Sequence, residues 1–193
     1  GCYQIDIKTG NVTPVLNDDN MGPQPTERSQ DGKTIFYVRQ DHKAKIYQIF
    51  AQDLESGTEK EIYRSDGDLY ISISPDGRWL SVYSRVMTNV LGMSDKKPRL
   101  NIIPSAGGEP RELYRFEEGI DIGAGGGDTW TVDGKYILYT MKSPEKEIEK
   151  WDLYRIPANG GTPEKPGMEM GGFAMNLSVH PDGRQIRSEG RRV

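Results

Sequence analysis

Few stretches of this 193-residue chain carry residue types whose spacing could do chemistry. The run Gly123-Ala124-Gly125-Gly126-Gly127-Asp128 has the glycine content of a phosphate-cradling loop. It lacks the lysine and Ser/Thr such a loop needs, and an apolar-polar strand pattern follows it where a helix should start. Asp66-Gly67-Asp68 and Asn17-Asp18-Asp19-Asn20 resemble fragments of calcium loops, but neither continues to a distal bidentate glutamate. They read as turns. Only two histidines occur. His180 stands beside an Asp-Gly turn, where its ring can cap backbone, and His42 lies in the polar stretch Gln40-Asp41-His42-Lys43. Two isolated histidines are a poor basis for a metal site, so no metal and no cofactor are expected. No Gly-x-Ser-x-Gly elbow is present, so no serine-hydrolase nucleophile is expected either. The stretch 142–150 alternates charges and reads as a solvated hairpin tip.

Cys2 is the single cysteine, which excludes an intrachain disulfide. It follows Gly1 as the acylated cysteine of a lipoprotein would follow its signal. Because it runs into a strand with no polar tether, an unpaired strand residue is the favoured reading. The 25 basic and 29 acidic residues are interspersed, so no nucleic-acid footprint is visible. No apolar run is long enough for a membrane span. No basic, apolar-cored signal opens the sequence, so any export signal is expected upstream or absent.

The elements that must position these residues are strands. Glycine (23) and proline (12) are abundant, as many short strands with many turns require. The stretch Leu69-Tyr70-Ile71-Ser72-Ile73 alternates with period two, which predicts a half-buried strand. Ser74-Pro75-Asp76-Gly77-Arg78 then predicts a tight turn, and Trp79–Tyr83 the returning strand. This turn recurs at Asp31, Asp76, Asp133 and Asp182, at intervals of 45, 57 and 49 residues. Each period also holds a second strand pair closed by a glycine turn, as in Tyr154-Arg155-Ile156-Pro157-Ala158-Asn159-Gly160-Gly161 followed by a strand over Thr162–Lys165. Four antiparallel strands every 40–50 residues or so predict the blades of a β-propeller.

The expected organisation is a single all-β domain: complete blades over 24–64, 68–115 and 119–166, with half-blades at 1–17 and 173–193. The half-blades could pair into one composite blade. The three arginines of the tail Ile186-Arg187-Ser188-Glu189-Gly190-Arg191-Arg192-Val193 sit where core side chains should go, which favours instead a piece of a larger ring with open strand edges and self-association through them.

The repeated turns, together with Asp152-Leu153-Tyr154-Arg155-Ile156 and Gly160-Gly161-Thr162-Pro163, resemble the repeats of TolB-like propellers along nearly the whole chain. Gln30 and Val132 depart from the family's turn proline. Arg28 departs from its apolar position three residues before the aspartate and is expected to project into the interior or the channel. The resemblance implies a bacterial, periplasmic or otherwise extracytoplasmic setting and a non-catalytic platform for a protein partner or small ligand. It also leaves two alternatives: the gating propeller of a prolyl oligopeptidase-type serine peptidase whose catalytic domain is absent from this chain, and, less favoured, an oligogalacturonate lyase-like enzyme. Fold does not choose among these. The surface expected to bind is formed by the loops before each blade's first strand, at 20–25, 65–68, 119–128 and 168–172. Asp68, Gly125, Gly126, Gly127 and Asp128 are its candidate residues, and no catalytic residue is expected.

Overall fold

The computed structural model describes residues 2–16, 26–41, 43–85, 97–117, 120, 122, 128–142, 151–167, 169–170 and 172–192. Every regular element among them is a strand. Strands β1 (Cys2–Ile5) and β2 (Val12–Leu16) form a hairpin. Three four-stranded antiparallel meanders follow. The first holds β3 (Glu27–Arg28), β4 (Thr34–Asp41), β5 (Ile46–Asp53) and β6 (Glu59–Ser65). The second holds β7 (Asp68–Ile73), β8 (Trp79–Arg85), β9 (Arg99–Pro104) and β10 (Arg111–Arg115). The third holds β11 (Asp128–Trp130), β12 (Tyr136–Lys142), β13 (Trp151–Pro157) and β14 (Glu169–Met170). A last pair, β15 (Gly172–Val179) and β16 (Ile186–Arg192), ends the arc, and it forms a sheet separate from β1–β2.

Each Asp-Gly turn is built by one local circuit. At the second, Ser74 Oγ donates to Asp76 Oδ1 at 2.7 Å and accepts from the Trp79 N–H at 3.0 Å. Asp76 Oδ1 also accepts from the Arg78 N–H at 3.0 Å. Gly77 sits at φ 70, a left-handed conformation that disfavours a β-carbon. Ser29 with Asp31, and Thr131 with Asp133, repeat the hydroxyl-carboxylate bond at 2.6 and 2.7 Å. In the fourth turn His180 takes the hydroxyl's place, and its Nδ1 accepts from the Asp182 N–H at 3.3 Å.

Burial corrects the expectation of half-buried strands. Leu69, Tyr70, Ile71 and Ser72 are buried in succession, as are Ile35–Val38, Leu80–Tyr83 and Leu100–Ile103. The reason is that each meander is packed on both faces. Leu69 and Ile71 join Phe36, Val38 and Ile49 against the first meander, while Tyr70 joins Trp130, Ile137 and Tyr139 against the third. Ile35 and Tyr37 face Leu16 on the hairpin, and Leu138 and Leu153 face Leu177 on the last pair. Period-two alternation thus sorts side chains between two cores, each fully buried one contributing roughly 1.5–3 kcal/mol.

Two further expectations need correction. The strand expected at Thr162–Lys165 is reduced to one bridge between Arg155 and Glu164, and Glu169–Met170 supplies the fourth strand. Pro163 and Pro166 flank that bridge without N–H groups, which interrupts the ladder. Arg28 does not enter the interior. It is exposed, and its Nε donates to the Gly32 carbonyl at 2.9 Å, which spares an uncompensated buried charge.

Candidate functional site

The meander connectivity gives the molecule two ends. One carries the loops that precede β3, β7, β11 and β15; the other carries the Asp-Gly turns and the glycine turns that close the third and fourth strands.

At the loop end, the candidate residues fare differently. Asp68 opens β7 half-buried, with Oδ2 3.8 Å from Arg85 Nε. Arg85 Nη2 in turn donates to the Tyr70 hydroxyl at 2.9 Å and its guanidinium lies over that ring. Tyr47 also hydrogen-bonds Asp68 and accepts from Gln40 Nε2 at 2.7 Å; burial first, then Asp68, raises the Tyr47 hydroxyl above its ordinary range. Asp68 is therefore tied into a polar network joining the first two meanders. Gly125, Gly126 and Gly127 lie outside the described residues, as do 17–25, His42 and 143–150. Asp128 is a buried strand residue, not part of a loop mouth. Its Oδ2 lies 2.5 Å from Ser81 Oγ.

Among the described residues, two grooves lie at the other end. A groove of about 570 Å³ runs between the first and second meanders, lined by Ser29, Asp31, Phe36, Lys60, Asp76 and Ala106 among others. A second, of about 670 Å³, runs between the second and third, lined by Ser74, Arg78, Trp79, Arg111, Trp130 and Asp133 among others. Gln30 borders both, so the two grooves adjoin. Their construction repeats. Lys60 Nζ crosses the first groove to donate to the Ala106 carbonyl at 2.6 Å, and Arg111 crosses the second to donate to the Ala158 and Asn159 carbonyls at 2.8 and 2.9 Å. The rims are anionic: hydrogen bonds from Ser29, Ser74 and Thr131 are the largest cause holding Asp31, Asp76 and Asp133 below the usual carboxylate range, Asp76 at about 2. Charged rims over Phe36, Trp79 and Trp130 suit a ligand with both polar and apolar groups.

Comparison with known structures fits this architecture. TolB from Acinetobacter baumannii superposes over 98% of this chain with a TM-score of 0.74 at 22% identity. The fold is that of a TolB-like β-propeller. Each meander is a blade, with its first strand innermost. Oligogalacturonate lyase from Vibrio parahaemolyticus matches with a TM-score of 0.69 at 15% identity, over 95% of this chain. The β-propeller domain of the Trilobed protease from Pyrococcus furiosus matches at 0.59 and 16%, over 97%. The chain spans 42%, 51% and 61% of those three structures. No protein-family model and no curated protein sequence matches it.

Among the described residues, no group of three or more His, Cys, Asp or Glu side chains is placed to hold a metal ion, and no helix is long and apolar enough to cross a membrane. Sequence reasoning missed the grooves, because they are spaces between blades. It also missed a carboxyl pair on the innermost strands: burial, with Asp128's charge second, pushes Glu27 up to about 7, and burial pushes Asp128 to about 6. The only sequence signal was a charged residue at the start of each of those two short strands.

Proposed function

We propose that this propeller is a non-catalytic binding platform that takes an extended protein segment or a small ligand on its Asp-Gly turn end. The carrying observation is the repeat of one groove design between successive blades, the two grooves adjoining at Gln30. A longer occupant can span both and read the same pattern of turn carboxylate, bridging cation and aromatic floor twice. The likeness to TolB supports a setting in a bacterial envelope, outside the cytoplasm.

Affinity selection of a displayed peptide library tests the reading. Peptides selected on the unmodified chain should lose binding to Ala106→Arg, which obstructs the first groove, and keep binding to Asp68→Ala at the opposite end. Loss with Asp68→Ala alone would move the site to the loop end. Cleavage of polygalacturonate by the purified chain would overturn the non-catalytic reading in favour of the lyase.

A further inference from the structure

Ser81 is fully buried on β8, directly across from Ser72 on β7. Its Oγ lies 3.2 Å from the Ser72 carbonyl oxygen and 2.5 Å from Asp128 Oδ2 on the next blade. A hydroxyl has one proton to donate. With an ionised Asp128, Ser81 can serve only one of these two acceptors. Both contacts become hydrogen bonds together when the Asp128 carboxyl carries its own proton and donates it to Ser81 Oγ, leaving Ser81 to donate to Ser72. Trp130 Nε1 reaches the same carbonyl at 3.1 Å, so the junction joins β7, β8 and β11.

The surroundings offer no compensating cation among the described residues. From β3, Glu27 faces the cluster and accepts from the Ile73 N–H, while its neighbour Arg28 turns away to the Gly32 carbonyl. From β12, Tyr139 is the cross-strand partner of Asp128. β7 carries two ionisable residues: Asp68 sits at the far end of the strand with Arg85 of β8, and the Tyr70 hydroxyl accepts from that same Arg85. β15 carries no ionisable residue.

We propose that Asp128 is a proton-gated clasp between the second and third blades. Protonated, it completes the relay Asp128–Ser81–Ser72. When it releases its proton to water, Ser81 turns to the carboxylate, the Ser72 carbonyl loses that bond, and an uncompensated charge faces Glu27. Admitting water between β7 and β11 relieves that charge, which loosens the inner wall beneath the second groove, where Ser74 and Trp130 lie. Burial, which holds both carboxyls above the carboxylate range, acts in the same direction. The sign follows: a raised folded-state pKa gives stability that is complete below the unfolded value of about 4 and declines as pH rises through 6 to 7. The clasp belongs to the fold and does not depend on what occupies the grooves.

Thermal unfolding of the chain followed from pH 4 to 8 tests it, together with the carboxyl carbon-13 resonances of aspartate-labelled protein. The Tm should fall by several degrees across this range, and one aspartate should titrate near 6. Asp128→Asn supplies a permanent N–H donor to Ser81, so it should keep the low-pH Tm and remove Asp128's share of the decline, leaving the part that burial of Glu27 sets. An unchanged pH profile in Asp128→Asn would overturn the proposal. Should that variant fail to fold, the unmodified chain still decides: aspartates that all titrate at or below about 4 would overturn it.

Discussion

Asp76 and Asp128 are the same side chain placed in opposite circumstances. Asp76 sits on an exposed turn, where Ser74 and the Arg78 N–H hold it at about 2. Asp128 lies on an innermost strand with one hydroxyl partner, and burial raises it to about 6. The turn end is a set of local circuits, each satisfied within five residues and open to water. The inner strands are held by contacts between blades, where a single unpaired charge cannot be hydrated. An identical residue supports the fold as an anion in the first place and as a neutral acid in the second.

This contrast can be broken from either side. The largest effect is expected at the inner strands: Trp130→Ala removes a buried ring and its hydrogen bond to Ser72, and should cost roughly 3–5 kcal/mol in urea unfolding. A cost under about 1 kcal/mol would mean that blade contacts here are loose. At the turn end, Gly77→Ala forces a β-carbon into φ 70 with no neighbouring atom within 4 Å, so backbone strain alone should cost roughly 1–2 kcal/mol by the same measurement. Ser74→Ala removes the hydroxyl bonded to Asp76 Oδ1 and the Trp79 N–H, for about 1 kcal/mol.

Acid titration sharpens the comparison. The lowered folded-state pKa of Asp76 gives stability present above the unfolded value of about 4 and lost as pH falls towards 2. Asp76→Asn should therefore lower the Tm above pH 4, where that stability is present, and reduce the acid-side loss, so that the two profiles converge as pH falls towards 2. With the opposite dependence of Asp128, the chain should be most stable in mild acid. The smallest effect belongs to Val132, which occupies a turn-proline position and is 43% exposed: Val132→Thr should change unfolding by no more than about 0.5 kcal/mol.

Much of the fold was legible because it is local. The Asp-Gly turns announce themselves in three or four adjacent residues, and their hydroxyl-carboxylate circuits need nothing distant. Spacing between turns gave the sheets, and alternation gave the strands. The hairpin β1–β2 shows where alternation stops being informative: Tyr3, Ile5 and Val12 follow the strand pattern yet are each about 60% exposed. The matching positions Leu100 and Ile102 are buried because a blade lies against them.

The candidate site was less legible. Asp68 and Asp128 stand next to glycines and read as loop carboxylates, but one is committed to Arg85 and Tyr47 and the other to Ser81. Their partners lie 17 to 47 residues away, beyond the reach of any local pattern. Strand, turn and their repeat are readable from the residues alone, since they depend on φ preferences, hydrogen bonds between near neighbours and side-chain alternation. The two grooves and the burial of Glu27 and Asp128 arise from how one blade stacks on the next, which no local pattern encodes.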